Sequence, residues 1–164
     1  MNETVEAKEN SASSKRFVGI IALTYAASLI VQNGLFGEDA PTYSTPIDAV
    51  LTYHAENQGA LAITSGLEAM NMVLLLVFVT ALHGLVLRRG GKGADWSRLA
   101  VAAGATLSSL FALTIATHIA VITAARSLTE PNAAFEIMWQ LHAACLALAL
   151  PALGATFIGA ALAT

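Results

Sequence analysis

The stretch 61-LAITSGLEAMNMVLLLVFVTALHGLVL-87 decides the fold. It is longer than the roughly 20 residues needed to cross a hydrocarbon core of about 30 Å. One carboxylate, Glu68, and one histidine, His83, interrupt it, and Arg88-Arg89 end it. A run this apolar, closed by a basic pair, has the pattern of a transmembrane helix with enough length to tilt or protrude. Three more runs of the same kind surround it, at about 17–36, 99–125 and 135–164. Composition agrees: 56% of residues are hydrophobic, 12% are charged and the mean hydropathy is +0.66. Soluble domains carry about 25% charged residues.

Seven of the eight Lys and Arg flank one end of these runs. Lys8, Lys15 and Arg16 precede the first, and Arg88, Arg89, Lys92 and Arg98 lie between the second and third. Arg126 alone lies at the other end. The positive-inside rule then puts both termini in the cytoplasm and two loops outside. The expected fold is all-α, an integral membrane antiparallel four-helix bundle of the cell (inner or plasma) membrane occupying residues 17–164. Met1 to Ser14 is polar and Ser-rich, and residues 1–16 are expected to form a disordered cytoplasmic tail. The first apolar run exceeds a signal h-region of about 7–15 residues, which favours an uncleaved helix. No basic patch with interleaved aromatics exists, so nucleic acid is not an expected partner. The single Cys145 excludes an intrachain disulfide.

The longest connection, Gly37 to Ala60, contains Pro41 and Pro46. Within it, Pro46 to Asn57 has apolar residues at Ile47, Val50, Leu51 and Ala55, with Asp48 and Glu56 between them. This spacing predicts a short amphipathic helix on the outer surface. His54 and Glu56 belong to this loop and are expected to be solvated, the alternative being that they cap a cavity between the helices. Arg89-Gly-Gly-Lys-Gly-Ala-Asp lacks the spacing and preceding strand of a phosphate loop and is read as a glycine-rich turn. Trp96 and Trp139 suit interfacial anchors, and His83 suits a snorkelling position near a helix end.

Each run carries a polar stripe. Tyr25, Ser28 and Gln32 share one face of the first, and Thr64, Glu68 and Asn71 one face of the second. The third has Thr114 and His118 four apart, and the fourth has Met138, His142 and Cys145. Glu68, His118 and His142 each lie roughly 10 Å from the outer boundary at ~1.5 Å per residue. An ionisable group at the membrane centre costs about 2.5–3.5 kcal/mol on insertion scales, so such residues normally face a bundle interior and mark function. Toward the cytoplasm the second run, Val73 to Thr80, is almost wholly apolar. The expected result is an outward-facing polar pocket with Glu68, His118 and His142 as its floor, lined also by Tyr25, Ser28, Gln32, Thr64, Asn71 and Thr114. Small residues at Ala100, Gly104, Ser108, Ala112, Ala116 and Ala120 form a packing ladder on the third helix. Pro151 is expected to kink the fourth, and Gly154 and Gly159 suit close contact with a neighbour.

Three functions fit this pattern. An accessory or structural subunit of a larger membrane assembly, or a homo-oligomer in the bilayer, needs the least chemistry. Alternatively, His118 and His142 hold haem or, with Glu68, a transition metal, since imidazole serves both. The third is proton-linked binding of a small molecule centred on Glu68, a desolvated carboxylate suited to proton exchange. No nucleophile–base pair is evident, so an enzyme is not the expected class.

From Phe17 onward the chain resembles a broad group of uncharacterised multi-pass membrane proteins common in high-GC bacteria. Four motifs carry the resemblance: PIDAVLTYHAEN at 46–57, LHGLVLRR at 82–89, Trp96 with Gly104, and MWQL at 138–141. It implies a four- to six-helix topology and no particular chemistry. Chains of that group generally continue into two further helices, whereas this one stops within an apolar stretch at Ala161-Leu-Ala-Thr164. A truncated or incompletely identified chain is therefore expected.

Overall fold

The computed structural model describes residues 3–37 and 39–164. Five helices follow in order: α1 (Glu3–Phe36), α2 (Ile47–Glu56), α3 (Gln58–Arg88), α4 (Ala94–Ala125) and α5 (Ala133–Leu162). No strand occurs among the described residues. Four stretches are long and apolar enough to cross a membrane: Lys15–Leu35, Gln58–Arg88, Ala94–Ala125 and Ala133–Leu162.

The helix ends have local causes. Gly90, Gly91 and Gly93 adopt φ of 92°, 74° and 82°, conformations that carry a side chain only with strain. They reverse the chain between α3 and α4, and the Gly91 N–H donates to the Val86 carbonyl at 3.1 Å as α3 ends. At the other end of α4, Asn132 caps α5 by accepting from the Phe135 N–H at 2.9 Å. Pro46 opens α2, where its missing N–H costs nothing.

Two expectations about the elements need correction. The polar segment read as a disordered tail is helical from Glu3 and continuous with α1, while Met1 and Asn2 lie outside the described residues. Glu, Ala and Lys are strong helix formers, and extending an existing helix avoids a new nucleus. Second, α2 does not simply lie on a surface. Val50, Leu51 and His54 are buried, and the helix seats against Val121 and Ala125 of α4 and Phe135 and Trp139 of α5.

Gln32 of α1 meets Glu68 and Asn71 of α3, while Phe17 and Val18 lie opposite Gly84 and Leu85. His83 of α3 meets Ser97 of α4, and Gly159 of α5 lies against Trp96 and Ala100. Packing divides into two clusters. Leu75, Val79, Leu82, Ala100, Leu107, Ala149 and Ala160 form one core toward the glycine turn. Val50, Leu51, Val121, Ala125, Phe135 and Trp139 form another beneath α2. Leu23, Ile30, Val73, Leu148 and Ile158 remain more than half exposed, as suits residues bordering lipid.

The small-residue ladder is used only in part. Ala100 and Gly104 are buried, with Gly104 against Val79 and Thr156, whereas Ala112 and Ala116 are exposed. Gly159 makes the close approach; Gly154 has open space beside it. Helix α5 continues through Pro151, which is exposed. His83 is tied down: its Nδ1–H donates to Ser97 Oγ at 2.8 Å, whose own proton goes to the Ala94 carbonyl at 2.8 Å.

Candidate functional site

Between the two clusters lies a cavity of about 360 Å³, bounded by the end of α1, the loop before α2, α2 itself, and α3, α4 and α5. Volumes of about 300–1,000 Å³ are usual for small-ligand sites. Glu68, His118 and His142 all line it, so the three ionisable residues singled out from the sequence do converge.

Each sits on a different helix and is contacted from a neighbouring one. His142 Nδ1 lies 3.0 Å from the Thr114 carbonyl. A carbonyl only accepts, so Nδ1 carries the proton and Nε2 is left as an acceptor in the neutral ring. Glu68 Oε1 accepts from Gln32 Nε2 at 3.3 Å, and Gln32 Oε1 accepts from Asn71 Nδ2 at 2.7 Å. Its other oxygen lies 4.0 Å from His118 Nδ1. The Glu68 side chain keeps 12% of its surface exposed and that of His118 4%.

Two of the pocket's most closely packed rings are absent from the expected lining, although His54 has the alternative reading of a cavity cap. His54, expected in a solvated loop, is 1% exposed and lines the cavity. Its ring is 5.5 Å from those of His118 and Trp139. Its Nδ1–H donates to the Val50 carbonyl at 2.7 Å, which again leaves Nε2 as the acceptor. Burial holds its pKa below the ordinary 6.5, the Val50 bond opposes that shift, and His142 adds to it. The signal was present, because Ile47, Val50, Leu51 and His54 follow i, i+3, i+4, i+7 and share one face. Trp139 is likewise buried rather than interfacial. It stacks on His142 at 5.5 Å and 23°, and is one helical turn from it on α5. Tyr43 closes the group at 5.1 Å from Trp139 and 5.9 Å from His142. Burial raises its phenol pKa and the Glu68 charge raises it further. Nothing in the periodicity of a proline-containing loop marked it.

The expected lining divides. Gln32 and Thr114 line the cavity. Tyr25 packs against the core toward the glycine turn, and Ser28 is buried away from the cavity. Thr64 is fully buried with its hydroxyl on the Leu61 carbonyl at 2.9 Å, and Asn71 lies behind Gln32. Their stripes were correct for burial, but burial within a bundle does not distinguish a cavity from a contact between helices.

A haem does not fit between the two histidines. The rings of His118 and His142 stack face to face, 5.0 Å apart and inclined by 29°. Axial haem ligands instead point their nitrogens at the iron from opposite sides. Among the described residues no group of three or more His, Cys, Asp or Glu is disposed to hold a metal ion. The site is an acceptor-rich, aromatic-walled pocket with one carboxylate. No family model, curated protein or solved structure matches the chain.

Proposed function

We propose that this chain is a multi-pass membrane protein that binds a small molecule in the pocket beneath α2, with Glu68 as its ionisable centre. The observation that carries this is the convergence of Glu68, His54, His118, His142 and Trp139 on one cavity of about 360 Å³. Ionisable groups gathered at a membrane depth are costly to keep there without a role. The Lys and Arg asymmetry supports a cell (inner or plasma) membrane orientation with both termini cytoplasmic and the pocket end outside. The ligand then enters beside Tyr43, the most exposed of the pocket's rings.

Native mass spectrometry of protein extracted from its own membranes in mild detergent tests this reading. A retained small-molecule adduct that disappears in Glu68→Gln is expected. Identical bare masses for both proteins would count against it.

One observation favours a second role beside the first. Helix α1 packs mainly on α3, and its Ile20, Leu23, Ile30 and Val31 stay exposed. This flank suits lipid or a neighbouring subunit, in keeping with an accessory subunit of a larger assembly or a homo-oligomer. Cross-linking in native membranes through a cysteine at Leu23, in a Cys145→Ala background, tests that role. Monomer alone would argue against it.

A further inference from the structure

Glu68 is a mostly buried carboxylate with poor compensation inside the protein. Its Gln32 contact is long at 3.3 Å, and His118 stands 4.0 Å away. None of the described residues lining the cavity is Lys or Arg. An ionised carboxylate in such a place needs a cation or a proton to offset its desolvation.

The rest of the wall selects between these. The Nδ1 protons of His54 and His142 are committed to the carbonyls of Val50 and Thr114, so both neutral rings offer Nε2 as an acceptor. The amide of Gln32 is turned onto Glu68, and the Thr114 hydroxyl donates to the Leu110 carbonyl at 3.1 Å. Trp139 and Tyr43, 5.1 Å apart, add π faces that attract cations. A bare proton has no use for two aromatic rings and a cavity of about 360 Å³. Among the described residues the buried indole N–H of Trp139 has no acceptor, which allows one acceptor atom on the ligand but does not itself favour a cation.

We propose that the pocket takes a small protonated amine with an apolar body, its ammonium held by the Glu68 carboxylate and by Nε2 of His54 and His142, its body against Trp139 and Tyr43. This identification of the ligand class rests on the small-molecule-binding reading above.

The test uses the full chain in phosphatidylcholine nanodiscs, which carry no net lipid charge. A Trp96→Phe background leaves Trp139 as the sole tryptophan, the sequence having two. Three probes of similar size are titrated near neutral pH against Trp139 fluorescence: 2-phenylethylamine, 2-phenylethanol and 3-phenylpropanoate. The amine is expected to bind at least about tenfold more tightly than the alcohol, and the carboxylate more weakly than either. Glu68→Gln should abolish that preference, while Glu68→Asp should retain it. An alcohol or carboxylate that binds as well as the amine would overturn the amine assignment and leave a small-molecule pocket standing. So would a preference undiminished in Glu68→Gln when the Glu68→Asp protein is folded. Saturation by none of the three would overturn both.

Discussion

Gly159→Ala is the most direct probe of how α4 and α5 meet. A Cβ at this position would stand 2.9 Å from the Trp96 carbonyl oxygen, 3.0 Å from the Ala100 nitrogen and 3.3 Å from the Ala100 Cα. All three are backbone atoms of α4, so no side chain can swing aside. Ala100 is itself fully buried, which prevents the helix from yielding outward locally. Overpacking of this kind costs about 1–3 kcal/mol. Alanine's helix advantage over glycine, about 1 kcal/mol, acts in the other direction. Gly154→Ala removes this ambiguity, since the same propensity gain applies there and no atom lies within 4 Å of the added methyl group. The difference between the two variants thus isolates the clash and is expected to be about 1–3 kcal/mol. Gly104→Ala should fall between them, because its nearest contact is the Val79 Cγ2 methyl at 3.4 Å. Unfolding by sodium dodecyl sulfate in mixed micelles, followed by far-ultraviolet circular dichroism, measures the order. If Gly159→Ala were as stable as Gly154→Ala, the close approach of the α4 and α5 backbones would be refuted.

Three other outcomes are expected. A double-mutant cycle on Gln32→Ala and Asn71→Ala should give a coupling of about 0.6–1.7 kcal/mol, the range for hydrogen bonds between membrane helices, and strict additivity would show that their 2.7 Å bond does not hold α1 to α3. His54, faced by His118 from α4, by His142 and Trp139 from α5 and by Tyr53 on its own helix, has a folded pKa below its ordinary 6.5. Its contribution to stability is therefore present above pH 6.5 and is lost as pH falls toward its folded value, because the unfolded chain binds the proton more readily. Thermal unfolding of wild type should weaken more than that of His54→Gln between about pH 7.5 and 5.5, and parallel losses would contradict the burial of this ring. Finally, in Cys145→Ala cells an impermeant maleimide should label Glu130→Cys and spare Lys92→Cys, and the reverse pattern would overturn the orientation inferred from Lys and Arg.

The sequence carried most information where one physical constraint acted on many residues. A hydrocarbon core requires long apolar helices, and Leu61–Leu87 meets that requirement residue after residue, so the four helices long and apolar enough to cross a membrane were legible to within a few positions. The depth agreement of Glu68, His118 and His142 came from the same source, because helical rise converts residue number into distance. The α2 helix was legible from its period, and so was the face on which His54 lies. What that face packed against was not, since a helix lying on a surface and one seated against other helices have the same amphipathic pattern.

By itself, then, the sequence determined the helical class, the number of apolar spans and the convergence of three ionisable groups near one depth. Tertiary structure alone decided which of the polar stripes face a cavity and which face a neighbour. It left Tyr25, Ser28, Thr64 and Asn71 out of the lining and brought in Tyr43, His54 and Trp139. It also turned His118 and His142 face to face rather than toward a shared ligand atom. The physical reason is that periodicity reports only which side of a helix is turned inward. Rotation, separation and ring orientation depend on contacts between helices distant in sequence, such as Gly159 against Ala100 and α2 against Trp139.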